Sequence, residues 1–571
     1  MSNFPTIQKI VLSENGNQVF QPRDTITIML DPQEIGVLNG KDSYLRFNIK
    51  LSGPFKAELD RAGGGGHSIL ETISIWNGNG STLIEQLNDV PVWMGTKNYY
   101  EHTSGLENKR NLLEGLPTPG NHLQSAYFKN TALGSIDWTS VECCLPIYQS
   151  GCLYGDSVLP VAALNGIMIK IQLSEPRKAI KALPANGFLI DRTMSGNPMG
   201  ASAAVGSLNN LPFTKTRVPP AGEGTANQDL PQCFEISTAI PAPGAPLTTI
   251  TVTSTAAAVG IPTGAPLTAL DLRSNVGAPL VDVDMPWVIG QTVGYVGDAG
   301  VLTNLGAITN IVYAAPNYTV TFAGVAVYLA ATVANHCPAF VQIQDSIVDA
   351  AGNEASYVVS DVQLVCSVVQ PDPRYFQAMM SRMKSGGGYS FDIRSFNLYR
   401  NNLSKNIAQS QELIPCTEFR CRGLLESAIN PTVTWNTSWA TPLADYMRDY
   451  QYVLGNINTP LLAVKSDKEF DSGSNSWNGT LDEERLKCLE ASKVHVRNEL
   501  HPSGRMCFGR EVSKRGYSSN LNTTEVRLNQ AWGVPDGVAG TVGPQFNKIL
   551  DTFVHHFRKV TCRPDNTVVN F

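Results

Sequence analysis

In the stretch IMIKIQL, Ile167 to Leu173, apolar and polar residues alternate without a break. Ile167, Ile169, Ile171 and Leu173 fall on one side; Met168, Lys170 and Gln172 fall on the other. A period of two is the signature of a strand with one buried face, and no helix tolerates it. The same alternation recurs in DSYLRFNIKL (42–51), where Leu45, Phe47, Ile49 and Leu51 oppose Arg46, Asn48 and Lys50. A chain written this way must bury sheet faces against one another.

The rest of the chain repeats the theme. ILETISIWNGNGSTLIEQL (69–87) reads as a strand, an Asn-Gly turn and a second strand. PVWMGTKNYYEH (91–102) predicts a short helix with Pro91 near its start. Strands are also expected at 21–30, 137–149, 357–370, 389–400, 413–429 and 522–533, with an extended aromatic run at 444–464. DTFVHHFRKVTCRPDNTVVNF (551–571) predicts strand, proline turn and strand. Short helices are expected at 372–388 and 481–498. The first eighteen residues show no sustained pattern and read as an irregular arm. With 49 glycines and 35 prolines marking many turns, the chain reads as mostly β.

Texture divides the chain. From 231 to 350 there are eight charged residues, and none is Lys. Residues 181–355 therefore read as an inserted β-rich domain within an otherwise similar pattern. Its most apolar piece, TVTFAGVAVYLAATVANH (319–336), is rich in Thr and alternates in part, which favours buried β-structure over a membrane span.

Chemistry is sparse. No phosphate loop, zinc-protease, nucleophile-elbow or calcium-loop pattern is present. RAGGGGHS (61–68) and KSGGGYS (384–390) read as flexible glycine turns. His555 and His556 are strand neighbours, so they point to opposite faces and cannot jointly hold a metal. Asp482, Glu483 and Glu484 suit a helix N-terminus. Trp93, Tyr99 and Tyr100 could form a platform for a sugar or a base, but on a short helix they read as packing. The eleven cysteines are scattered and read as reduced thiols. No catalytic, metal or cofactor-binding residue is assigned, and no cofactor is implied. A net charge of −6 argues against direct contact with nucleic acid.

Three places resemble the double jelly-roll major capsid proteins of Polinton-like viruses and virophages. They are LNGKDSYLRFNIKL (38–51), LPIYQSGCLYGDSVLPVAALNGIMIKIQL (145–173) and the closing run 551–571. YVVSDVQLVCSVVQPDPRYFQ (357–377) is similar to the family's join between barrels, and DYQYVLGNINTPLLAV (449–464) to a strand pair of its second barrel. The resemblance implies an all-β chain of two tandem jelly-roll barrels with short helices, plus the insert. The first barrel would span 1–180 (arm 1–18), with its last strand at about 356–370. The insert, 181–355, would form a tower, and the second barrel would span 379–571. The function implied is that of a non-enzymatic shell protein in the virion, assembled inside the host cell. Homotrimers with six barrels would tile an icosahedral capsid beside neighbouring capsomers, penton and minor capsid proteins. The other readings of these strands are a carbohydrate-binding β-sandwich, a lectin or a receptor-binding spike, and a β-sandwich hydrolase without a recognisable motif.

Overall fold

The computed structural model describes most of residues 5–182 and 353–570, apart from loop segments such as 102–109, 117–126, 436–446, 466–478, 497–506, 513–520 and 533–546. Between them it describes 234–236, 249–254, 289, 292–296, 302–314, 317–322 and 337–339. The chain begins with β1 (Thr6–Leu12), β2 (Thr25–Leu30), β3 (Leu38–Ser52), β4 (Ala57–Leu59), β5 (Leu70–Asn77), β6 (Leu83–Asn88) and helix α1 (Val90–Glu101). There follow β7 (Phe128–Lys129), β8 (Asp137–Trp138), β9 (Ser140–Pro146), β10 (Ile167–Leu173) and β11 (Ile180–Ala182). The insert contributes β12 (Phe234–Ile236), β13 (Thr249–Ser254), β14 (Thr292–Val296), β15 (Leu302–Ala314), β16 (Asn317–Phe322) and β17 (Cys337–Ala339). Then comes β18 (Ser356–Val369).

Two sheets face each other across the first core. One has the order β1-β18-β3-β9, the other β2-β10-β5-β6. Alternation places Leu45, Phe47, Ile49 and Leu51 of β3 inside with Ile167, Ile169, Ile171 and Leu173 of β10; all are buried. β18 pairs antiparallel with β1 on one side and with β3 on the other. The strand expected over 357–370 thus occupies the middle of a sheet.

A second sandwich follows the helix Pro373–Lys384, whose N-cap Asp372 accepts from the Arg374 amide at 2.8 Å. Its strands are β19 (Tyr389–Leu403), β20 (Gln409–Ile414), β21 (Cys421–Ile429), β22 (Met447–Leu454), β23 (Ile457–Lys465), β24 (Cys507–Glu511), β25 (Val526–Trp532), β26 (Lys548–Cys562) and β27 (Thr567–Asn570). The sheet orders are β19-β26-β21-β24 and β20-β25-β22-β23, with β27 added beside β26. β19 and β26 pair over all fifteen residues of each strand. The insert forms a six-stranded sheet, β14-β15-β16-β13-β12-β17.

Four expectations need correction. Residues 6–12, read as part of an irregular arm, form β1 in register with β18. The single strand read at 413–429 is two strands, β20 and β21, which lie in different sheets. RAGGGGHS is no flexible turn: Gly65–Ile69 is a buried 3-10 turn entered through left-handed Gly64 and Gly65. A Cβ on Gly65 would lie 2.7 Å from the Glu114 carbonyl oxygen, so glycine is needed for packing as well as for conformation. The helix read over 481–498 is Gly479–Ala491; it ends in a turn in which Lys493 has a positive φ. Most of the apolar piece 319–336, and most of 339–350, lies outside the described residues. Among the described residues no helix is long and apolar enough to cross a membrane.

Candidate functional site: the seam between the two barrels

β6 is the edge strand of its sheet, yet it is covered, because it lies against β19 of the second sandwich. Helix α1 leaves β6 directly and extends the contact. Its Trp93 ring lies 5.2 Å from Phe396, 5.8 Å from Phe553 and 4.7 Å from His555, all from the second sandwich. Such offset and tilted ring pairs add to the apolar area they bury. Farther along α1, Cys507 Sγ donates to the Tyr100 hydroxyl at 3.1 Å, and the His495 amide donates to Glu101 Oε1 at 3.0 Å.

Polar groups fix the register of the seam. Glu85 of β6 is fully buried. Its carboxylate accepts from Ser150 Oγ (2.6 Å), the Gly151 amide (3.2 Å) and the Cys152 amide (3.0 Å). These contacts shape the Ser-Gly corner between β9 and β10. That corner presses on the second sandwich so closely that a Cβ on Gly151 would sit 1.2 Å from the Arg394 carbonyl oxygen. Arg558 of β26 reaches back, donating from Nη1 to the Ile84 carbonyl (3.0 Å), from Nη2 to Asn397 Oδ1 (2.6 Å) and from Nε to His556 Nε2 (3.0 Å). His556 must be unprotonated to accept that bond. Burial, with the Arg558 charge beside it, pushes its pKa down to about 3. Burial holds His555 well below the ordinary histidine value.

A charged bridge closes the far end. Arg400 of β19 holds Asp551 through two hydrogen bonds (2.7 and 2.8 Å) and Asp89, just before α1, through a third (2.6 Å). Lys178 lies 4.0 Å from Asp89 and 2.5 Å from Glu71. Burial lifts the Asp89 carboxyl to about 7, against the pull of Arg400. An ion pair this enclosed fixes geometry more than it adds stability, because both partners lose water.

The weighed residues fall into place. His555 and His556 lie in the seam, and among the described residues no His/Cys/Asp/Glu cluster could hold a metal. Trp93 and Tyr100 are buried as packing, while the Tyr99 side chain lies outside the described residues. Glu483 pairs with Lys487 and Glu484 with Arg510; the Asp482 side chain lies outside the described residues. The nine cysteines whose side chains are described form no disulfide with one another. Gly386 and Gly387 of KSGGGYS form an open turn, where an added Cβ would meet nothing within 4 Å. Glu85, Arg400 and Arg558 were not singled out in the sequence; Gly151 entered only as part of the Ser-Gly corner within the stretch 145–173. The one available signal was a charged residue inside an apolar strand, as with Glu85 in LIEQL.

Counted from one to eight along the chain, the strands of each sandwich occur in the orders 1-8-3-6 and 2-7-4-5. Both halves share this order, with two four-stranded sheets face to face. The chain is a double jelly roll. No family model and no curated protein matches this double jelly roll. Among solved structures it is similar to the PBCV-1 virus capsid (6% identity, TM-score 0.47, covering 100% of this chain and 98% of that chain). It is similar also to the Faustovirus major capsid protein (7%, 0.45, 98% and 91%) and to the mavirus major capsid protein (9%, 0.33, 99% and 90%). The fold of the double jelly roll rests on its own strand order, which needs no support from these scores.

Proposed function

We propose that this chain is a viral major capsid protein that forms homotrimeric capsomers, six barrels in a ring, and that these tile the virion shell. The observation that carries the reading is the seam. Two sandwiches of one strand order are locked side by side by buried aromatic rings, a buried carboxylate and a charged bridge. Such a unit is a rigid tile that presents two similar blocks to its neighbours. The net charge of −6 suits a shell protein that does not coat the genome itself. Neighbouring capsomers, penton and minor capsid proteins are the partners this role requires.

The proposal extends to the insert. Residues 181–355 lie within the connection from β10 to β18, and in this reading they form a separate tower on the outward face. Long connections add little closure cost, so replacing 190–350 with a short Gly-Ser linker should leave soluble barrels. Aggregation of that variant would place part of the insert in a barrel core.

Light scattering and negative-stain electron microscopy test the function. The expected particle has about three times the 61.7 kDa chain mass and a hexagonal outline. A stable monomer at micromolar concentration that binds glycans would overturn the reading in favour of a lectin.

A further inference from the structure

The capsomer reading leaves open which surfaces join one chain to the next. The two jelly rolls supply the comparison that answers it. In the first, the fifth strand is β6; in the second, it is β23. The first strands are β1 and β19. Within the chain, the fifth strand of barrel one lies on the first strand of barrel two. Both members of that contact are covered: Ile84, Glu85 and Leu87 of β6 are buried, as are Ser395 and Phe396 of β19.

The two equivalent strands are largely exposed. β23 is the edge of its sheet, and Ile457, Leu461 and Leu462 are 69, 84 and 79% exposed. β1 is also an edge, and Ile10 and Leu12, on its outward side, are 59 and 50% exposed. Large apolar side chains on open sheet edges invite another chain. Here both open edges are apolar, and they are the counterparts of two strands already in contact.

We propose that β23 of one chain docks against β1 of a second copy, repeating the internal seam as a junction between subunits. Resting on the trimer proposed above, this makes three junctions alternate with three internal seams around a closed ring. The contact is head-to-tail: each copy offers one β23 and one β1, as ring-forming heterologous interfaces require. The repeat is not perfect. α1 gives the internal seam Trp93, whereas the helix Gly479–Ala491 shows Glu483, Lys487 and Glu490 to solvent. The junction is therefore the more polar of the two and separates while the seam stays shut.

Two variants of the full chain test this by light scattering. One carries Leu461→Asp and Leu462→Asp; the other carries Ile10→Asp and Leu12→Asp. All four side chains are at least half exposed, so each variant should keep the wild-type melting transition and protease resistance. Each alone should be monomeric. An equimolar mixture should give a species of two chains, because one intact β23 then meets one intact β1. A wild-type trimer that persists in either variant, or monomeric variants that fail to pair on mixing, would overturn the junction alone. A wild-type monomer would overturn the capsomer reading and the junction with it.

Discussion

β6 and β23 hold the same place in their barrels, yet one is mostly buried and the other is open along most of its length. Their sequences, LIEQLN and INTPLLAVK, show why. β6 carries an acid that binds the backbone of a neighbouring corner, so its outer face is committed to a defined partner. β23 carries leucines and Pro460, which has no amide to donate and suits an edge. Whether a strand counts as interior is thus decided by what lies beside its barrel, not by its place within the barrel.

The strongest way to break this comparison is truncation. Deleting 551–571 removes most of β26, which lies between β19 and β21 and faces the seam. Losing its buried side chains and two hydrogen-bond ladders approaches the roughly 5–15 kcal/mol that holds a domain folded. The second barrel should fail to fold, seen as insolubility or rapid proteolysis. Deleting 1–14 removes only the open edge strand β1, and the product should keep a cooperative unfolding transition.

Within the seam, Trp93→Ala should cost about 3–5 kcal/mol in denaturant unfolding, as for other buried aromatics. Tyr389→Ala, on the partly exposed start of β19, should cost clearly less. Gly151→Ala should destabilise by about 1–3 kcal/mol, since its methyl would enter the space of the Arg394 carbonyl. Gly386→Ala, in open space, should leave the unfolding midpoint in place.

A subtler difference is set by pH. Glu426, inside the second barrel, accepts from Tyr452 Oη (3.0 Å) and Thr552 Oγ1 (2.5 Å), and burial pushes it up to about 8. Unfolded, it would ionise near its ordinary value of about 4.3. The folded state therefore holds an extra proton between these values. The stability this confers is complete below about pH 4.3 and is lost as pH rises through 8. His556 acts in the opposite sense: it is fully compatible with the fold above about pH 6.5 and destabilising as pH falls toward 3. Urea midpoints should peak in the mildly acidic range. Glu426→Gln should flatten the decline toward pH 8 and leave the acid limb unchanged. The smallest effect is expected from Arg46→Ala, which breaks the exposed pair with Glu142 and should leave the midpoint unmoved.

Much of the double jelly roll was legible because barrel strands alternate. β3, β10 and the closing β26–β27 pair declare their faces in their own residues. β1 does not: its apolar residues sit at 7, 10, 11 and 12, since an open edge has no dry side to enforce a period. The seam was illegible for a different reason. Arg558 meets Ile84 across 474 residues, and Glu85 meets the 150–152 corner across more than sixty. No local window contains both partners, so each reads as an odd charge in a strand. The corner itself was visible as Ser-Gly, but the reason for its glycine lies on another barrel.

The position of β18 also bears on the order of events during synthesis. β1 and β3 each wait for a partner that lies between them. That partner begins at residue 356, roughly 180 residues after β10 ends. At about 5–20 residues per second, those residues take about 10–35 s to emerge from the ribosome. Throughout that interval the first barrel has one complete sheet and one split sheet with two inner edges bare. The whole insert is made before the gap can close, so the nascent chain must keep those edges from pairing elsewhere.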